Sequence, residues 1–188
     1  MKTFKLTNKL FLSLFAVALI SCSDDDTSAP INEEEVITTV RTTLVGGGQT
    51  ITLLSRDLDG GDGPNPPVVT VSGNLTAGTT YTGSVAFLNE TVNPADDITI
   101  EVEEEGVDHQ IFYQAPVSIG TFTYTDTDAN GKPIGLDFTL VTASAASGNL
   151  TVTLRHLPNK SAAGVSTGNI ANAGGSTDAQ VIYPLVVN

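Results

Sequence analysis

The chain has 188 residues, a formal net charge of −13, one cysteine and no tryptophan. That length holds one hydrophobic core and is short for two, and a single cysteine excludes an internal disulfide, so the fold rests on apolar burial alone. Three of the eight basic residues fall in the first nine positions, leaving five against 21 acidic ones. The body is therefore strongly anionic. Nucleic acid and anionic lipid head groups are repelled, and cations are attracted.

Residues 1–21 read as a secretory signal: Lys2, Lys5 and Lys9, then an apolar run from Leu10 to Ile20, then Ser21. The run is too short to span a bilayer as a mature helix. Leu19-Ile20-Ser21-Cys22 is similar to a bacterial lipobox, which implies acylation of Cys22 and stable anchoring by more than one chain. Residues 22–34 then form the lipidated cysteine and an acidic flexible tether, opening with Ser23-Asp24-Asp25-Asp26. Such a run directly after the cysteine resembles the export signal of surface lipoproteins in Bacteroidetes. It places the protein on the outer membrane, cell surface outward, with a periplasm-facing anchor as the alternative.

From Glu35 to Asn188 the texture is that of an all-β domain, with short β-branched runs punctuated by Gly, Asn, Asp and Pro. About nine strands are expected, near 35–44, 49–55, 67–72, 80–88, 109–115, 119–126, 134–142, 149–156 and 179–187. Leu150, Val152 and Leu154 alternate with Thr151, Thr153 and Arg155, as in a half-buried strand. Without βαβ spacing, the expectation is an antiparallel β-sandwich. Leu75 to Tyr81 resembles the corner that leads into a strand of an immunoglobulin-like sandwich. Between Asn93, as N-cap ahead of Pro94, and Gly106 a short helix is expected, with a strand through the β-branched Ile98, Thr99 and Ile100 as the alternative.

Two acidic loops are candidate calcium sites. Asp57, Asp59 and Asp62 lie on a Gly/Pro-rich frame, where oxygens can wrap a hard cation. Asp126, Asp128, Asn130 and Asp137, with Gly131 at the sixth position, follow the calcium-loop template. The shorter Asp at the twelfth position and the lack of flanking helices leave a plain hairpin turn as the alternative. The two histidines, His109 and His156, each fall at a strand edge; if they meet, they supply two imidazoles for a haem or a transition metal. From Leu157 to Ala179 runs a long Ser/Ala/Gly/Asn-rich connection containing Lys160, a candidate ligand-binding residue. Catalytic motifs such as Gly-x-Ser-x-Gly, a phosphate-binding loop or His-Glu-x-x-His do not occur, and the chain is not expected to be an enzyme.

Taken with the lipobox, the stretches Asn32 to Thr39, Asp57 to Gly60 with Gly63 to Pro66, Leu88 to Thr91, Glu103 to Glu105, His109-Gln110 and Leu154 to Lys160 carry a resemblance spanning essentially the whole chain. It resembles small uncharacterised lipoproteins of Bacteroidetes often labelled "type 1 periplasmic binding fold superfamily protein". The fold in that label has two α/β lobes; the residue pattern here predicts an all-β body. No activity or catalytic residue follows from the resemblance. Three functions are consistent with these readings: a non-enzymatic surface lipoprotein binding a ligand or an envelope partner such as an outer-membrane transporter, a metal or haem binder using His109 and His156, and a structural module stabilised by calcium.

Overall fold

In a computed structural model, residues 35–60 and 63–188 are described. Cys22, the signal and the tether, and Asp62 of the first acidic loop, lie outside the described residues. In chain order the elements are β1 (Thr39–Gly46), β2 (Gln49–Arg56), β3 (Val68–Val71), β4 (Thr80–Asn89), β5 (Asp96–Asp97), α1 (Ile98–Glu104), β6 (His109–Gln114), β7 (Gly120–Tyr124), β8 (Asp137–Thr142), β9 (Ala146–His156) and β10 (Ser176–Val187). Each of the nine expected strands corresponds to one of these, and the two-residue β5 is additional.

Among the described residues these strands pair antiparallel throughout, and a lone parallel bridge joins Leu75 to Val187. One sheet runs β3-β2-β1-β4-β8-β7, with β5 on β4; the other runs β10-β9-β6. Gly47 and Gly48, at φ +57° and +74°, turn β1 into β2, because a two-residue hairpin loop needs positive φ at both positions. β1, β2 and β3 are hairpin-connected, and β4 returns beside β1, which is Greek-key order.

One core lies between the sheets. It joins Leu44, Ile51, Leu53, Val85 and Phe87 of the larger sheet to Ile111, Leu150, Val152, Leu154, Tyr183 and Leu185 of the smaller. Leu150, Val152 and Leu154 of β9 are buried as expected, but Thr153 on the opposite face, paired with Phe112, is buried as well. Gly83 lies opposite Phe138 in the β4–β8 register, and a Cβ there would come within 2.3 Å of the ring. The Tyr81 hydroxyl accepts the Thr76 N–H at 2.9 Å and the Gln49 side-chain N–H at 2.8 Å, pinning the turn ahead of β4.

The helix starts later than Asn93. Asp96 and Asp97 pair with Asn89 and Leu88 instead, and the Asp97 carboxylate accepts the Thr99 N–H at 3.1 Å as the N-cap. Helical structure ends at Glu104, just before Gly106.

In β6, His109 to Tyr113 are all buried, without the alternation of a half-exposed strand. The cause is the segment after β9, which folds back over the outer face of the smaller sheet. Phe112, Val165 and Ala173 form a second small core there, with Ala162 and Ile170 against it. Gln110 donates from its side chain to the Val165 carbonyl at 2.8 Å. The long polar connection is thus a strap, and β6 is covered on both faces.

Candidate functional site

The register of the smaller sheet decides the site. His109 on β6 lies directly opposite His156 on β9, and both side chains share the face of Ile111 and Leu154. Their rings stack with centroids 4.8 Å apart and planes 26° from parallel. On the other side of β9, the β10 register slips between Thr177 and Ala179, leaving Asp178 as the extra residue. Such a bulge re-aims a side chain. Asp178 lies 3.9 Å from His109 Nε2 through Oδ2 and 4.0 Å from His156 Nδ1 through Oδ1. Glu35, just before β1, places Oε1 3.3 Å from His109 Nε2.

This cluster is buried. The His109 side chain has no exposed surface, Glu35 keeps 7% and Asp178 keeps 10%. His109 Nδ1 lies 3.2 Å from the Glu105 carbonyl. A carbonyl only accepts, so Nδ1 carries the proton, and in a neutral ring Nε2 is then a bare lone pair facing two carboxylates. Accordingly, His109 Nε2, Glu35 Oε2 and Asp178 Oδ2 are buried polar atoms with no hydrogen-bond partner. Left empty, such an arrangement is costly. Burial pushes the His109 imidazole towards its neutral form, yet Glu35, the Glu105 carbonyl and Asp178 outweigh it and hold the pKa above the ordinary histidine value. Burial, reinforced by the Glu35 charge, pushes the Asp178 carboxyl up.

Either a proton or a metal cation relieves the arrangement. One donor atom each from His109, His156 and Asp178 lie within 4.8 Å of one another, and so do those of Glu35, Glu105 and His109. Ligands bound at about 2.0–2.1 Å in a tetrahedron lie roughly 3.4 Å apart. Glu35 to His109 at 3.3 Å already matches that spacing, while His109 to Asp178 at 3.9 Å and Asp178 to His156 at 4.0 Å are somewhat wider. A metal-bound histidine characteristically donates its other ring N–H to a carbonyl or carboxylate, the role Glu105 fills here. Haem does not fit. Bis-histidine ligation needs two rings aimed at iron from opposite faces of a macrocycle, whereas these rings stack on each other and His109 is enclosed.

The other candidate residues have different employment. Asp126 accepts the backbone N–H groups of Gly135, Leu136 and Asp137 at 2.7 to 3.1 Å. Asp128 accepts from the Asn130 and Lys132 amides, and its Oδ2 takes the Lys160 ammonium at 2.9 Å. The cation met by the calcium-type loop is therefore the protein's own lysine. Asn130 and Asp137 are exposed. Lys160, expected at a ligand, is buried and donates to Gly106 O, Pro133 O and Asp128, using all three of its N–H groups. It clips the strap to the turn after α1. In the first acidic loop, Asp59 accepts from the backbone and side chain of Asn65, and Asp57 lines a cavity of about 160 Å³ that Asp178 also borders.

Glu35, Glu105 and Asp178 are the residues that reading the sequence missed. Asp178 leaves a faint mark: Ala179, Val181, Tyr183, Leu185 and Val187 keep one parity along the strand, and a lone acid stands one step out of phase at its start. Glu35 is indistinguishable in sequence from Glu33 and Glu34. Compared with known protein families, with curated proteins and with solved structures, the chain gives no match in any of the three.

Proposed function

We propose that this is a non-enzymatic, lipid-anchored outer-membrane protein whose folded body binds a divalent transition-metal ion, of the zinc class, through His109, His156, Asp178 and Glu35. The observation that carries the reading is the fully buried His109 Nε2, 3.3 Å from a Glu35 oxygen and 3.9 Å from an Asp178 oxygen, while Nδ1 is held by the Glu105 carbonyl. Two imidazoles with carboxylate oxygens suit a borderline cation, whereas calcium and magnesium prefer oxygen alone. The triad of His109, His156 and Asp178 and the pair of Glu35 with His109 meet at the His109 ring, and a site whose positions are filled by protein donors is the pattern of a structural or storage site rather than a catalytic one. The anchor rests on the sequence around Cys22. Greek-key order, and the bond from the Thr76 N–H to Tyr81, support treating the two sheets as an immunoglobulin-like sandwich.

The test is calorimetric titration of the purified, chelator-stripped protein with zinc. One ion per chain is expected, with affinity reduced at least tenfold in His156→Gln and Asp178→Asn, both at the edge of the cluster. Sub-stoichiometric uptake, or affinity unchanged in both variants, overturns the reading.

A further inference from the structure

We propose that the same ion latches the segment through which the chain enters the folded body, so that occupancy decides whether residues 35–37 lie against the smaller sheet. This rests on the metal reading above and adds a regulated conformational consequence to it. The four donors come from four separate stretches: the lead-in to β1, then β6, β9 and the β10 bulge. Three of them sit in one hydrogen-bonded sheet and cannot move apart. Glu35 belongs to no element.

Little else holds the lead-in. The first backbone hydrogen bond of the described residues on the way into β1 is from the Thr38 N–H to the Leu88 carbonyl, at 3.0 Å. Val36 is 55% exposed, and Ile37 packs only partly against the core. The Glu35 side chain is nonetheless 93% buried, beside His109, which Asp178 also faces. Without a cation, two buried carboxylates share one imidazole, and like charges out of water repel strongly. The group that can leave at least structural cost is Glu35, because no strand pairing is broken when it swings out. A bound dication reverses that balance, and any ligand that binds one conformation preferentially shifts the population towards it.

The experiment is nitroxide labelling of the full chain carrying Cys22→Ser and Val36→Cys, with spectra taken metal-free and with zinc. The expected result is a mobile spectrum in the stripped protein that broadens to an immobilised one on zinc addition, saturating at one equivalent. In the same chain with Glu35→Gln, zinc still binds through His109, His156 and Asp178 by calorimetry, but the label stays mobile. Zinc that binds stoichiometrically without altering label mobility overturns the latch and leaves the metal site standing. Equal immobilisation in Glu35→Gln also overturns it. No zinc uptake in any variant removes the site and the latch together.

Discussion

Lys160→Met tests whether the strap is held by a buried ion pair. The substitution keeps a stem of similar length and removes the ammonium. It leaves the Asp128 carboxylate, 1% exposed at its side chain, together with the carbonyls of Gly106 and Pro133, without their shared donor. Removing one partner of a buried pair costs about 3–5 kcal/mol. Asp128 keeps the amides of Asn130 and Lys132, which favours the lower end, about 3 kcal/mol, since hydrogen bonds to a charged group contribute roughly 1.5–3 kcal/mol each. The measurement is urea unfolding at pH 7 of wild type, Lys160→Met, Asp128→Asn and the double variant. The cycle should show coupling, with the double variant less destabilised than the sum of the singles. The pH dependence has a definite sign. Lys160 and the two amides outweigh burial and hold the Asp128 pKa below its ordinary value. The clip therefore contributes fully above the unfolded carboxylate pKa of 3.8, and that contribution is lost as pH falls through the lower folded value. A Lys160→Met cost under about 1 kcal/mol, the range of an exposed pair, would refute the reasoning.

The metal cluster gives stability two opposite pH slopes. In the metal-free protein, Asp178 and His109 both have raised folded pKa values, so their contribution is complete below the unfolded values of 3.8 and 6.5 and declines as pH rises through the folded ones. With saturating zinc the slope reverses between pH 5 and 8, because the ligands must shed protons to bind; thermal melts across that range, with and without zinc, check it. Gly83→Ala drives a methyl into the Phe138 ring and should destabilise by about 1–3 kcal/mol with the fold retained, measured by denaturant unfolding. Phe112→Ala removes the centre of the second core and should cost about 3–5 kcal/mol. The same variant should expose residues 157–175 to proteolysis, read by mass spectrometry of the nicked products.

Local chemistry settled much of this protein before any folding was considered. Alternation through Leu150, Val152 and Leu154, and β-branched runs broken by Gly, Asn, Asp and Pro, each act over a few residues, and they correspond to observed strands and turns. The helix was legible in existence but not in boundary, because Asp97 competes with Asn93 as a cap and wins through the pairing of β5 with β4. What only tertiary structure decided is whatever depends on partners distant in the chain. Nothing within the run from His109 to Tyr113 announces that a strap 50 residues later covers its outer face and abolishes its alternation. Lys160 looked available for a ligand because its three acceptors come from other loops. The meeting of His109 with His156 is a matter of β6–β9 register, and the arrival of Asp178 and Glu35 depends on one bulge and on where the chain enters the domain. Register is set by pairing between strands and by burial of one face, and neither is written in the neighbouring residues.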